Sequence, residues 1–204
     1  MKIKPILFID FDGTLCHDRF WRSIDADSFE KIQNLLFGED KSMVNEWMRG
    51  VYSSENINEL ISKELNIPFE KVWNTFVADC ENMNVSTDVL NRIKNLKKDF
   101  HIVLITDNMD CFTRFTAPAL KLDLLFDSII NSSDNKKFKS DNGGEIFLQT
   151  VNKLDSKIEN SILMDNSKSA CGTFSKLGGM IRFVTPEEPL AFWLEDLENG
   201  LVRT

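Results

Sequence analysis

Two aspartates, two positions apart, follow a short apolar run near the start of the chain. The apolar residues 6–9 precede Asp10, and Gly13 comes directly after Asp12. Residues two apart on an extended strand point to the same side, so we expect both carboxylates to face one site. Neighbouring carboxylates repel each other unless one is protonated or a cation lies between them. The pattern therefore predicts acid–base chemistry, a divalent metal ion, or both.

Two more polar residues stand at the ends of apolar runs. Residues 101–105 lead to Thr106, and residues 161–164 lead to Asp165. Apolar runs of this length are typical of strands in a parallel sheet that is buried on both faces. Ligands of such sheets bind beyond the carboxyl ends of the strands. We therefore expect Thr106 and Asp165 to lie at the same edge of the sheet as Asp10.

The strands that position these residues belong to an α/β pattern. Further short strands are predicted at residues 128–131 and 180–184, and stretches of helical periodicity separate the strands along the chain. Such alternation predicts a Rossmann-like parallel sheet with helices on both faces. We assign residues 1–15 and 85–204 to this core domain.

Residues 16–84 interrupt the α/β pattern with helix after helix. In one stretch Phe69, Val72 and Phe76 recur at helical spacing, and three other stretches in the segment behave similarly. We therefore predict a small four-helix domain inserted after the first strand. Its tryptophans are expected to fill its core, as aromatic residues at helical spacing usually do: Trp21, Trp47 and Trp73.

Composition limits the possible partners. The chain has 204 residues, 42% of them hydrophobic, and a formal net charge of −8, with a pI near 4.9. This acidic balance argues against nucleic acid or an anionic membrane as the main partner. Without an apolar leader segment near the first residue, a cytoplasmic location is expected. The four scattered cysteines indicate neither a disulfide framework nor a zinc site.

The order of these residues resembles that of a known superfamily. Asp-x-Asp-Gly-Thr at residues 10–14 resembles the first motif of the haloacid dehalogenase (HAD) superfamily of phosphohydrolases, and Thr106 matches its second-motif hydroxyl. Residues 132–141 resemble its third motif, in which Lys139 is the basic residue. Asp165 opens a stretch similar to the fourth motif. The resemblance spans nearly the whole chain and implies a HAD-like core.

The resemblance also implies a role for each residue. Asp10 attacks phosphorus and forms an aspartyl-phosphate, while Asp12 protonates the leaving oxygen and then activates water. Thr106 and Lys139 hold the phosphoryl oxygens. Magnesium binds Asp10, the backbone carbonyl of Asp12, and Asp165.

Two positions depart from the family pattern. Members usually carry a second acid beside or shortly after position 165, whereas this chain has Asn166 and Ser169. We expect weaker magnesium binding, not its absence, because an amide can still hydrogen-bond a metal-bound water. Asp107 replaces the asparagine that is common after the second-motif hydroxyl. We keep Asp107 as a candidate phosphate contact.

The helical insertion resembles the cap that one large branch of the superfamily carries after its first motif. Such caps close over the site and select the substrate. Arg49 falls in the loop between two predicted cap helices, where an arginine can bind an anionic substrate. Arg19 and Arg22 are weaker candidates.

The favoured function is a magnesium-dependent phosphatase that acts on a small phosphorylated metabolite, as a monomer or homodimer. The main alternative is a phosphosugar mutase, which keeps the second aspartate of the first motif. Dehalogenases and phosphonate hydrolases of the superfamily lack that aspartate, so Asp12 counts against both. A binding module that has lost turnover is the third possibility, and Asn166 is its best support.

Overall fold

Five parallel strands form the central sheet of the protein. The computed structural model describes residues 3–200, and the strand order is β3-β2-β1-β4-β5. The strands are β1 (Ile6–Ile9), β2 (His101–Thr106), β3 (Ser128–Asn131), β4 (Ile162–Asp165) and β5 (Met180–Phe183). The predicted α/β class and parallel sheet are confirmed.

Helices separate successive strands and form a large insertion after β1. The insertion contains α1 (Ala26–Phe37), α2 (Ser42–Met48), α3 (Ser54–Leu65) and α4 (Phe69–Glu81). The remaining helices are α5 (Thr87–Leu96), a π-helical turn (Phe112–Thr116) that runs into α6 (Ala117–Ala119), α7 (Ser132–Asn135), α8 (Glu145–Lys153), α9 (Lys168–Lys176) and α10 (Leu190–Glu198). Short 3₁₀ turns lie at Leu122–Leu124, Asp141–Gly143 and Ile158–Asn160. Within residues 3–200, none of the helices has the length and hydropathy needed to cross a bilayer.

Both faces of the sheet are buried. Leu7 and Ile9 pack on the side of α5 and α10, whereas Phe8 points to the opposite face. There the Phe8 ring meets the rings of Phe147 and Phe174 edge to face, with centroids 5.4 and 5.5 Å apart. Burial on both faces explains why β1 reads as an uninterrupted apolar run and not as an alternating one.

The helical insertion has an aromatic core of its own. The rings of Trp21, Trp47 and Phe76 lie 4.8 to 6.2 Å from one another and are fully buried. Trp21 donates its indole N–H to Asn58, and Trp47 donates to Asp110, which follows β2. These two tryptophans are structural, because their rings pack in the core and their indole N–H groups are hydrogen-bonded within the fold. The domain boundaries at residues 15/16 and 84/85 stay a prediction.

An arginine clamp ties the insertion to the sheet. Arg114, in the π-helical turn after β2, donates to Glu55 of α3 at 2.6 Å and to Asp110 at 2.7 Å. The hydrogen bond from Arg114 lowers the pKa of Glu55 from 4.5 to about 2. Folding therefore favours the ionised form of Glu55, so the clamp adds stability above pH 4.5 that is lost as the pH falls toward 2.

We expect Glu55→Gln to lower the free energy of unfolding at pH 7 by less than about 1 kcal/mol, because both side chains of the pair are 40% exposed and screened by water. The deficit relative to the wild type should shrink between pH 7 and pH 3.5. Urea unfolding of both proteins at pH 7 and pH 3.5 measures this difference in the free energy of unfolding. Glu59→Gln on the same helix is the control, since Glu59 is exposed and forms no ion pair within the described part of the chain. A deficit that does not change with pH would contradict the assignment.

Candidate active site

The sheet register places two aspartates side by side at its carboxyl edge. Ile9 of β1 pairs with Met164 of β4, and the N–H of Asp10 donates to the carbonyl of Met164 at 3.0 Å. Asp10 and Asp165 are therefore the next residues on two adjacent strands. Their side chains are 5% and 0% exposed.

Lys139 lies between these two carboxylates. Its Nζ is 2.9 Å from Asp10 Oδ1 and 2.6 Å from Asp165 Oδ2, and its side chain is itself 4% exposed. Burial alone would lower the pKa of Lys139, but the neighbouring carboxylates raise it above its ordinary value. Burial, together with repulsion from Asp10, raises the pKa of Asp165, and Lys139 opposes this rise. The lysine thus keeps its charge and compensates two buried acids.

Asp107 fixes the loop that carries Lys139. Its Oδ1 accepts the backbone N–H of Lys139 at 2.8 Å. Burial raises the pKa of Asp107, while the charge of Lys139 opposes the shift. The structure thus gives this carboxylate a loop-anchoring contact, and its contact with phosphate stays a prediction.

Two hydroxyl groups at this edge have no internal partner. Thr106 is 1% exposed and Thr14 is 4% exposed, and neither Oγ1 forms a hydrogen bond within residues 3–200. Leaving a buried hydroxyl unpaired costs about 1–3 kcal/mol. Both are therefore available to donate to a ligand's oxygen atoms. Thr106 was predicted as such a donor, whereas Thr14 was quoted only as part of its motif.

The two aspartates of the first motif have different surroundings. Asp12 pairs with Arg19 at 2.8 Å, and its side chain is 56% exposed, in contrast to the buried Asp10. The strand ends at Ile9, so the side-to-side alternation of a strand no longer governs Asp12. Desolvation of its carboxyl group in the recess that it lines raises the pKa of Asp12, and the charge of Arg19 opposes the rise.

Gly13 is required by both conformation and space. Its φ is +72°, and a Cβ at this position would lie 2.1 Å from the Nδ2 of Asn166. The side chain of Asn166 therefore packs directly over the turn that follows Asp12. Any residue larger than glycine would displace it.

The donor set fits magnesium in the mode that this ion usually adopts. No three His, Cys, Asp or Glu side chains within residues 3–200 are grouped as a metal site. Magnesium, however, is commonly held by one or two carboxylates together with water and substrate phosphate. Asp10 and Asp165 supply two converging carboxylates, and the Asn166 amide lies over the adjacent turn.

Arg49 pairs with an acidic residue of the loop that carries Lys139. Its guanidinium makes two hydrogen bonds to Asp141, one of them 3.1 Å long, and lies 4.0 Å from the ring centroid of Phe138. The bond from Arg49 lowers the pKa of Asp141. Asp141 also accepts the backbone N–H of Phe138. The structure thus gives Arg49 a contact with the loop that holds Lys139, and its contact with substrate stays a prediction.

Backbone contacts strengthen this attachment. Ser132 donates its hydroxyl to the carbonyl of Met48 at 2.7 Å, and Lys136 donates to the carbonyl of Gly50 at 3.1 Å. Gly50 has a φ of +64°, and a Cβ there would lie 2.5 Å from the carbonyl oxygen of Ser133. Residues 132–144 contain α7 and a 3₁₀ turn, and these partners lie in or next to α7.

A cavity of about 360 Å³ opens beside Asp12 and Asp107. Residues from the insertion and from the sheet edge share its lining. The other lining residues are Phe11, Asp18, Arg19, Phe20, Gln33, Phe37, Lys41, Val44, Asn45, Met48, Met83, Asn108, Met109, Phe112 and Thr116.

Solved structures of other proteins have the same architecture as this chain. A predicted HAD-like family hydrolase from Porphyromonas gingivalis is 18% identical, covers 100% of both chains and has a TM-score of 0.73. A HAD family enzyme from Bacteroides thetaiotaomicron, solved in complex with magnesium and inorganic phosphate, is 14% identical over 89% of this chain and 94% of that one, with a TM-score of 0.67. This protein has the HAD-like fold.

A third HAD-like structure carries a different chemistry. The L-2-haloacid dehalogenase from Xanthobacter autotrophicus, solved with chloropropionic acid covalently bound, is 14% identical over 100% of this chain and 85% of that one, with a TM-score of 0.61. No protein-family model and no curated protein matches the sequence. The predicted resemblance is confirmed for the fold, and the chemistry must be argued from the residues.

We expect Lys139→Met to lower the free energy of unfolding by about 3–5 kcal/mol, because it leaves two carboxylates buried in the HAD-like core without their cation. Urea unfolding at pH 7 measures this loss. Lys137→Met is the matched control, since Lys137 is an exposed lysine of the same loop, and its midpoint should stay close to that of the wild type. Equal midpoints for the two variants would refute the role given to Lys139.

Arg49 and Asp141 should behave as one unit. A double-mutant cycle of Arg49→Met and Asp141→Asn should give a coupling energy of about 1 kcal/mol, since the pair is bidentate and partly buried. Urea unfolding of the wild type, the two single variants and the double variant at pH 7 measures this coupling. A coupling energy near zero would contradict the pairing.

Proposed function

We propose that the protein is a magnesium-dependent phosphatase that hydrolyses a small phosphorylated metabolite through an aspartyl-phosphate. The observation that carries the proposal is the buried Asp10, held by Lys139 and located on the strand next to the unpartnered Thr106 hydroxyl. A fixed carboxylate, a buried cation and a free hydroxyl donor are the parts that phosphoryl transfer needs. The cavity beside Asp12 has the size of a small-molecule site.

The reaction has two steps in this proposal. In the first, a carboxylate oxygen of Asp10 bonds to phosphorus, the ester bond breaks, and Asp12 gives its proton to the departing alkoxide. In the second, Asp12 takes a proton from water, whose oxygen bonds to phosphorus and releases inorganic phosphate from Asp10. Thr106 and Lys139 hold the phosphoryl oxygens during both steps.

Magnesium would be held by Asp10, Asp165 and the backbone carbonyl of Asp12. When bound, it neutralises charge on the phosphoryl group. The magnesium and phosphate complex of the similar Bacteroides enzyme supports this cofactor and a phosphorylated substrate. Because Asn166 replaces an acid, we expect weaker binding of the metal. A cytoplasmic location and a monomeric or homodimeric state remain predictions.

Asp12 favours a phosphatase over a dehalogenase. Both chemistries occur among proteins with this fold, so the fold does not choose between them. The resemblance assigns the second aspartate of the first motif to enzymes that must protonate an alkoxide. Asp12 borders the cavity and is accessible from it, as that role requires.

Replacing the nucleophile by its amide tests this function. With Asp10→Asn we expect phosphate release from an ester panel to fall at least about 1,000-fold, because an amide is a far weaker nucleophile. The panel contains sugar phosphates, nucleotides, phosphoglycolate and aryl phosphates, each assayed with magnesium and with chelator. Mass spectrometry of the quenched wild type should detect the phosphorylated aspartate.

Asp123→Asn is the matched control, since Asp123 is exposed and lies outside the site. Turnover that survives in Asp10→Asn would refute the nucleophile assignment. Magnesium binding without hydrolysis of any ester by the wild type would favour the binding module, and isomerisation of a phosphosugar would favour the mutase.

A further inference from the structure

The lining of the cavity restricts the leaving group more sharply than the fold does. We propose that the substrate is the phosphate ester of a compact, largely apolar alcohol of single-ring size that carries a hydrogen-bond acceptor at the end remote from phosphate. This inference rests on the proposed phosphatase function, because it assigns the cavity to the leaving group.

The position of the cavity gives it that role. Asp12, the proposed proton donor to the leaving oxygen, lines it, as do Asp107 and Asn108, which follow Thr106 at the end of β2. Asp10 and Lys139 are buried and do not belong to the cavity lining. A phosphoryl group held by the buried residues would therefore direct its ester oxygen, and the alcohol attached to it, into the cavity.

The walls of this space are apolar over most of their area. Eight of the seventeen lining side chains are aromatic, aliphatic or methionine: Phe11, Phe20, Phe37, Val44, Met48, Met83, Met109 and Phe112. The other nine are polar or charged. A sugar placed here would press some of its hydroxyls against the apolar part of the wall, at a cost of about 1–3 kcal/mol for each one that stays unpaired. The three methionines can adjust to the outline of an apolar ring.

One buried polar atom in the lining lacks a hydrogen-bond partner within residues 3–200. The Nε2 of Gln33, on α1, is buried and forms no hydrogen bond within the described residues. Lys41, which also lines the cavity, forms no ion pair within residues 3–200. Amide and ammonium groups are both donors, so the ligand atom that satisfies them is an acceptor.

The volume suits a compact substrate. About 360 Å³ lies near the lower end of the range of about 300–1,000 Å³ that is typical of small-molecule sites. An alcohol with a single substituted ring fits this space. Size, apolar walls and an unpaired donor thus agree on one class of alcohol.

The test compares three esters of primary alcohols, which leave with similar intrinsic ease: 2-phenylethyl phosphate, its 4-acetyl derivative and glucose 6-phosphate. With magnesium and wild-type protein, we expect kcat/KM for 2-phenylethyl phosphate to exceed that for glucose 6-phosphate at least about tenfold. The acetyl group should raise kcat/KM several-fold further. A preference for glucose 6-phosphate would overturn the inference and leave the proposed function intact.

Binding to Asp10→Asn keeps the inference testable when no ester turns over. Calorimetry with this variant should rank the three esters in the same order. Failure of all three to be hydrolysed by the wild type counts against the proposed function, whereas equal or tighter binding of glucose 6-phosphate, or no binding of 2-phenylethyl phosphate, overturns the inference itself.

The acceptor is tested by a matched pair of glutamine variants. Gln33→Leu keeps the size of the side chain and removes the amide, so the ratio of kcat/KM between the acetyl ester and its parent should fall several-fold, to about one. Gln149→Leu, on the surface of α8, should leave that ratio at the wild-type value. Thermal unfolding verifies that both variants fold. An unchanged ratio in Gln33→Leu overturns the role of the amide.

Discussion

The ion pairs that Lys139 forms with Asp10 and Asp165 impose the main constraint on this structure. Two carboxylates at adjacent strand ends, both nearly inaccessible to water, are tolerated only because a cation lies between them. The sheet must align the two strand ends, and the segment after β3 must bring the lysine beneath them. Asp107 adds a third carboxylate, so the acids outnumber the lysine and the centre keeps an affinity for further positive charge.

The segment that brings in Lys139 also attaches the helical insertion. Asp141 binds Arg49 and accepts the backbone N–H of Phe138, which lies three residues earlier, on the other side of Lys139. Ser132, at the start of the segment, holds the carbonyl of Met48. One short stretch therefore sets both the electrostatics of the buried acids and the position of the helices above them. A displacement of those helices would be transmitted to the lysine through a few hydrogen bonds.

Most of the fold could be predicted from the sequence, because burial on both faces makes each strand an unbroken apolar run. The strand predicted at residues 101–105 ends one residue later in the structure. The pairing of Arg49 with Asp141 could not be predicted, since 92 positions separate them and no local pattern connects them. The orientation of the Asp12 side chain could not be predicted either, because the side-to-side alternation of strand residues ends with β1 at Ile9. The Nε2 of Gln33, which has no partner within residues 3–200, results from tertiary packing, which no local sequence pattern encodes.

The two ends of the helical insertion lie next to each other. Asn84 donates its backbone N–H to Asp18 at 2.7 Å, and the sulfur atoms of Cys16 and Met83 are 3.9 Å apart. The chain therefore enters and leaves this insertion at neighbouring points, and the length of chain between them adds little closure entropy. Evolution can lengthen or shorten the parts of the insertion that lie away from its contacts with Arg114 and the Lys139 segment without disturbing the strands. Selectivity can in this way diverge while the chemistry at the sheet edge stays the same.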